Sequence, residues 1–341
     1  MIDDDNDDDT SLDVIVSAIK VLGQHAFCTV KSSTPHNHID FTSSLNMRKA
    51  ALVVGASRGI GRQIALTLSR NHYDVGVASK TEKSTEVLPG SIYTVTAEIE
   101  AEAGRATPIV CNARKEEDIR NAVTKCVKEF GRLDVAVYNA GSITWEKVIN
   151  TNTKRFDLMN DINARGAYIM VQEVLPHFLE QKSGKIILVS PPIYNRFFKG
   201  KTTYAMSKVS MTVLVHGLAN ELQGTGVSVS ALWPATVIRS HVTDKMKVPL
   251  KLMRTPHIFA DAVVKIAEDP TERLNGQALI DEDYLRTVGV YEFTKYRCDS
   301  DHEPPRMMPK QFPSLLVEEE DQNVPISTAK ENMKSDIDSK L

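Results

Sequence analysis

The sequence predicts a doubly wound α/β fold, a parallel sheet with helices on both faces. Two observations carry that expectation. Short, near-continuous apolar runs rich in β-branched residues recur along the chain, as expected for strands buried on both sides. Stretches with apolar residues at helical spacing lie between them. A third observation sharpens the expectation: the first apolar run leads directly into a glycine-rich turn and then a helical pattern, "VVGASRGIGRQIAL".

The elements follow in order. "AALVVGA" reads as the first strand and "RQIALTLSR" as the helix after it. "DVGVAS", "ATPIVC", "LDVAVYN", "GKIILVS", "GVSVSALW" and "GQALI" read as further strands. "EEDIRNAVTKCVKEF" and "YAMSKVSMTVLVHGLANELQ" read as covering helices. They imply a single domain over residues 48–300. Residues 1–47 read as a partly disordered extension. Its aspartates Asp3–Asp5 and Asp7–Asp9 repel one another, and Leu12, Ile15, Val16, Ile19 and Leu22 carry the spacing of a short helix. Residues 301–341, rich in Pro, Glu, Asp and Lys, read as a flexible tail.

Composition excludes several classes. With 41 basic and 44 acidic residues the net charge is −3, which argues against a nucleic-acid binder. The four cysteines, Cys28, Cys111, Cys126 and Cys298, form no C-x-x-C pair and suggest a reducing compartment, not a disulfide scaffold. His36 and His38 have no acidic or cysteine cluster beside them, so no metal is expected. No apolar run approaches the ~18 residues of a membrane span. The last three residues, Ser339-Lys340-Leu341, read as a peroxisomal address, with an import receptor as partner.

The chemistry begins at Gly55-x-x-x-Gly59-x-Gly61, between first strand and first helix. Glycines let the backbone turn and approach a pyrophosphate, and the helix N-terminus offers amide donors. Ser57, Arg58 and Ile60 belong to the same loop. An acid ending the second strand would bind the ribose hydroxyl of NAD. This strand ends in Ser79 and Lys80, and with Arg58 two cations and no carboxylate favour the 2′-phosphate of NADP. Downstream, Tyr204 and Lys208 stand four apart on one helix face. An ammonium beside the phenol lowers its pKa, so that it can exchange a proton with a carbonyl or alcohol near neutral pH.

This glycine spacing followed by Y-x-x-x-K resembles the short-chain dehydrogenase/reductase family, a Rossmann-fold family. The resemblance covers residues 48–300. It implies that "YNAG", with Asn139, Ala140 and Gly141, shapes the cofactor side of the cleft. It implies that Asn163 of "DINARGAY" holds a water linking the lysine to solvent, and that Lys208 also holds the ribose. Asn112, where the family usually has Asp, would meet the adenine amine. Pro234, Thr236 and Val237 would face the nicotinamide. The family serine, about thirteen residues before the tyrosine, falls on Pro191, with Ser190 beside it. Two readings stay open: the proline pair shifts the loop so that Ser190 reaches the cleft, or Ser190 merely ends the strand. "SPP", "ALWPAT" and "LNGQALIDEDYLRTVGV" further resemble a peroxisomal, hydroxysteroid dehydrogenase-like subgroup whose sterol-carrier domain is not found in this chain. The implied function is an NADP-dependent oxidoreductase acting on a lipophilic carbonyl or alcohol, steroid-like or fatty-acid-derived, in a homo-oligomer. The alternative is a non-catalytic NADP-binding protein with a sensor or accessory role in lipid metabolism.

Overall fold

The structure, a computed structural model, describes residues 48–270 and 272–315. The extension 1–47, with its helical pattern and His36 and His38, and the terminal tripeptide lie outside the described residues.

Along the chain run β1 (Ala50–Val54), α1 (Gly59–Arg70), β2 (Asp74–Ser79), α2 (Ile92–Ala101), β3 (Ala106–Val110), α3 (Glu116–Phe130) and β4 (Val135–Tyr138). Then come α4 (Thr153–Met159), a π-turn (Asn160–Arg165), α5 (Gly166–Gln181), β5 (Gly184–Leu188), the short α6 (Asn195–Phe198) and α7 (Thr202–Glu221). The remainder is β6 (Val227–Trp233), β7 (Val237–Ile238), α8 (His241–Lys245), β8 (Met253–Arg254), α9 (His257–Glu268), β9 (Ala278–Ile280) and α10 (Asp281–Thr287). All seven expected strands form, in one sheet of order β3-β2-β1-β4-β5-β6-β9 with every pair parallel. β7 and β8 pair separately.

Alternation along β1 shows how the core is divided. Ala51 and Val53 face one side, packed with Ile64 and Leu68 of α1, Ile92 and Ile99 of α2, and Phe259 and Val263 of α9. Leu52 and Val54 face the other, packed with Ile119 and Val123 of α3, Met170 and Val174 of α5, and Met211 and Val215 of α7. Helices on both faces leave no solvated face for these strands, which is why they read as unbroken apolar runs. The helix ends are chemically marked. Ser91 and Thr94 make a capping box at α2, and α3 opens on three acidic residues and closes on Gly131 in the left-handed conformation.

Strand order reverses between β1 and β4, which opens a crevice at their carboxyl ends. Both Gly55 and Asn139 stand there.

One expectation needs correction. Residues 301–315, expected within the flexible tail, include a segment bound to the domain. Met307 and Met308 donate backbone N–H bonds to Ala235 O at 2.8 and 3.1 Å. Arg306 grips both Asp283 carboxylate oxygens at 2.6 Å, and Met308 is buried. A Pro- and charge-rich composition reads as disorder only until its few apolar and cationic side chains find partners.

Candidate active site

The floor of the crevice is built from backbone. Gly55 has φ +91° and donates to Ala78 O at 2.7 Å; a β-carbon on it would stand 2.5 Å from Ala140 N. A β-carbon on Gly61 would lie 2.1 Å from Gly55 O. Asn139 Nδ2 donates to Gly55 O at 2.9 Å, while the N–H groups of Asn139 and Ala140 donate to Val54 O at 2.9 and 2.8 Å. The glycine loop and the Asn139-Ala140-Gly141 turn are thus one packed unit. Gly59, at φ +56°, has only Ser240 Cβ within reach, at 3.8 Å, so the backbone is open there. Arg58 provides no side-chain cap to α1 and no acid occupies its first turn, leaving its first amides and positive potential to an anion.

The other cofactor candidates divide. Ser57 is buried and accepts from Ser79 Oγ at 3.1 Å; Ile60 packs against the core. Arg58 donates to Pro89 O at 3.1 Å and Gly90 O at 2.9 Å, tying the loop after β2 to the glycine turn. Lys80 is exposed at the end of β2. Asn112 Oδ1 already accepts from Arg114 N at 3.2 Å, so its carbonyl is partly committed to its own turn. Pro234 and Val237 are half-buried, and Thr236 is buried with its hydroxyl unpartnered.

Lys208 is fully buried on α7. Its Nζ donates to Val189 O at 2.8 Å, lies 3.7 Å from Met211 Sδ and stands over the Trp233 ring at 5.9 Å. Burial pushes its pKa down to about 7. Tyr204, one turn earlier, sits in an apolar cluster with Met159, Tyr194, Phe197, Ala235 and Met308. Its hydroxyl makes no hydrogen bond to another described residue. Burial pushes the phenol up, not down as expected from the neighbouring ammonium. The reason is the shared apolar surroundings: each charged form loses more water than its neighbour returns.

Asn163 lies in the π-turn and is fully buried. Turns of this kind aim a side chain that a regular helix would point elsewhere. Its amide donates to Ser142 O and Ser207 Oγ, both at 2.9 Å, and its carbonyl accepts from Ser142 N at 2.8 Å. Ser207 in turn donates to Tyr204 O at 2.8 Å. A β-carbon on Gly141 would stand 3.4 Å from Asn163 Oδ1 and 3.6 Å from Lys208 Nζ, so both groups converge on that glycine.

Ser190 is placed differently from the other candidates. It is fully buried; Thr212 Oγ1 donates to Pro191 O at 2.7 Å and lies 3.0 Å from Ser190 Oγ, whose hydroxyl can donate to it. Thr212 is one turn beyond Lys208, so the serine hydroxyl is turned against α7. Of the two readings open for Ser190, these contacts favour the one in which it ends the strand. The cause is local: Pro191 has no N–H, and Thr212 gathers the serine oxygen and the proline carbonyl together.

From the sequence, "FFKG", Phe197 to Gly200, reads as loop packing or as the wall of an apolar pocket; the aromatic residues that join it were missed. Phe197 packs 6.2 Å from the Tyr204 ring and edge-on to Trp233 at 5.6 Å. Tyr194 meets Phe312 edge-on at 5.4 Å and donates to Met308 Sδ at 3.2 Å. Asp281 was missed too. It accepts from Ala235 N at 2.8 Å, and burial raises its carboxyl to about 7. Most of these contacts join residues well apart in the chain, Asp281 with Ala235 and Tyr194 with Met308 and Phe312, so no local signal marks them. Among the described residues no cluster of three or more His, Cys, Asp or Glu side chains could hold a metal.

Comparison with known proteins agrees with this geometry. The sequence profile of the short chain dehydrogenases matches residues 49–248. The chain belongs to the short-chain dehydrogenase family. Hydroxysteroid dehydrogenase-like protein 2 of Danio rerio is 39% identical over 254 residues, 73% of this chain and 61% of that protein. The Homo sapiens protein of that name is 36% identical over 73% of this chain and 60% of its own length. The chain therefore spans about three fifths of these curated relatives. A short chain dehydrogenase structure from Mycobacterium thermoresistibile superposes with a TM-score of 0.71 at 33% identity, covering 76% of this chain and 93% of that one. A 7α-hydroxysteroid dehydrogenase complexed with NADH and 7-oxo glycochenodeoxycholic acid shares the fold, at a TM-score of 0.61 and 22% identity over 69% of this chain and 94% of that one.

The family uses nicotinamide dinucleotides. The residues present fit such a group: an uncapped helix start behind open Gly59, and the unpartnered Thr236 hydroxyl across the crevice.

Proposed function

We propose that this chain is an NADP-dependent oxidoreductase acting on a lipophilic carbonyl or alcohol, with Tyr204 as acid–base. The observation that carries the reading is the Tyr204 hydroxyl, without a hydrogen bond among the described residues, inside an apolar cluster one turn from Lys208. Arg58 and Lys80, with no acid ending β2, support the 2′-phosphate form. The bound nicotinamide supplies or takes the hydride. The chain's residues do the rest. Tyr204 gives its proton to the carbonyl oxygen during reduction and recovers it during oxidation. Lys208 stabilises the resulting phenolate, and the Asn163–Ser207 bonds fix the helix turn that carries both. Phe197, Trp233, Tyr194 and Met308 exclude water and favour an apolar substrate.

Peroxisomal import through Ser339-Lys340-Leu341 and a homo-oligomer belong to the same proposal. Exposed Tyr168 and Leu179 on α5 and Met206 and Val213 on α7 support the second. The test is NADPH oxidation by purified protein against medium- and long-chain carbonyls, with Tyr204→Phe alongside. Turnover lost in the variant while NADPH affinity persists supports the reading; turnover that survives the variant overturns it.

A second reading, a non-catalytic NADP-binding protein, is favoured by the Ser190 geometry. The hydroxyl expected to orient the substrate oxygen is turned against Thr212. Tight NADPH binding with no turnover across the panel would support it.

A further inference from the structure

We propose that Lys201 selects substrates carrying an anionic group, a carboxylate or a phosphate, at the end remote from the reacting carbonyl. This rests on the reading of Tyr204 as the acid–base. Lys201 immediately precedes α7, three residues before Tyr204. Its ammonium stands 4.3 Å from the centre of the Phe197 ring and 6.0 Å from that of Trp145. Phe197 is also the ring packed against Tyr204. One aromatic side chain therefore separates the cation from the phenol.

Two nearby cations are committed and it is not. Arg196 donates to Met307 O, and Arg155 to Thr144 Oγ1 at 3.5 Å. Lys201 makes no ion pair or side-chain hydrogen bond among the described residues. It is half-buried between rings, and that burial lowers its pKa without any carboxylate to restore the charge. A cation held over π-faces keeps attraction for an anion while losing water, so an arriving anion gains more there than at an exposed lysine.

The location is the rim of the cleft. Trp145 is 54% exposed and belongs to the stretch that continues from Gly141 past the Asn163–Ser142 bonds. Farther along the same stretch the Thr151 and Thr203 hydroxyls meet at 3.5 Å, bringing it against the first turn of α7. Val148 and Ile149, both exposed, extend this apolar rim. A molecule with its carbonyl oxygen at Tyr204 and its apolar body toward the exposed Trp145 rim leaves its far end at Lys201.

The test uses matched oxo compounds of one chain length, ending in a free carboxylate, a phosphate monoester or a methyl ester. NADPH oxidation is followed for the full chain and for Lys201→Met and Lys201→Arg. The expected result is a kcat/KM about tenfold higher for the anions than for the ester, carried mainly by KM. Lys201→Met should bring that ratio near one and Lys201→Arg should restore it. The relative rates of carboxylate and phosphate compounds tell the two anion sources apart. Equal rates for anions and ester in the unaltered chain, or a ratio untouched by Lys201→Met, overturn the proposal. Calorimetric binding of the same three compounds to Tyr204→Phe protein gives a readout independent of turnover. Anion-selective binding without turnover in the unaltered chain would keep the Lys201 site and sink the catalytic reading; no selectivity in binding sinks the site itself.

Discussion

The two halves of the cleft are held together by different physics. On the cofactor side, the contacts are backbone to backbone. Gly55 packs on Ala140, Gly61 on Gly55, and Asn139 and Ala140 bond to the last carbonyl of β1. On the substrate side, the contacts are between side chains distant in sequence: Tyr194 with Met308 and Phe312, and Phe197 with Tyr204 and Trp233. Backbone packing tolerates almost no added atom, so it demands particular residues at particular spacings. Aromatic packing asks only for volume and shape, so many sequences satisfy it and none announces it.

The largest effect should come from the one atom both halves serve. Tyr204→Phe removes the proton donor and should cost about a thousandfold in kcat, with NADPH affinity by fluorescence titration within about twofold. If binding falls with it, the phenol is part of the cofactor half and the division fails. Next comes Gly61→Ala, which forces a β-carbon to 2.1 Å from Gly55 O. It should destabilise the fold by about 3 kcal/mol in denaturant titration and weaken NADPH binding. Met308→Ala on the substrate side should lower stability by a comparable amount yet spare NADPH binding; equal losses of binding would erase the contrast.

A further expectation concerns Lys208. Its folded pKa is depressed to about 7, so between there and its ordinary range near 10.4 the unfolded chain binds more protons. Stability of the cofactor-free protein should therefore rise with pH, by roughly 2 kcal/mol from pH 7 to pH 9. Lys208→Met should flatten that rise in urea titrations at the two pH values. A rise that persists in the variant would place the titrating group elsewhere.

The smallest effect is the most discriminating. Ser190→Ala should leave kcat within about threefold and cost about 1 kcal/mol of stability, because its hydroxyl meets Thr212 and not the cleft. A loss of ~10²–10³ in kcat would mean that Ser190 turns toward the substrate when the site is occupied.

Much was legible in the chain before any coordinates. The seven strands and their parallel pairing follow from apolar runs too continuous for a half-solvated sheet. The glycine loop and the Tyr204–Lys208 pair lie in short motifs whose spacing is itself the geometry, whereas Asn139 and Asn163 were implied by the family resemblance. Ser190 was read only as an alternative, because a one-residue shift beside Pro191 changes which way a hydroxyl turns, and that depends on Thr212 across the loop. The binding of Arg306 and Met308 to the domain was read as a tail, since composition weighs a segment by its average and not by its two best contacts.

The sequence alone determined the sheet and the glycine turn at its crevice, because each rests on periodicity or on backbone constraints local to a motif. Only the tertiary structure decided the depth at which Tyr204 and Lys208 are buried, the aromatic wall before them and the bare cation at Lys201. Desolvation and side-chain packing are properties of what surrounds a residue, and those surroundings here come from segments that meet only after the chain has folded.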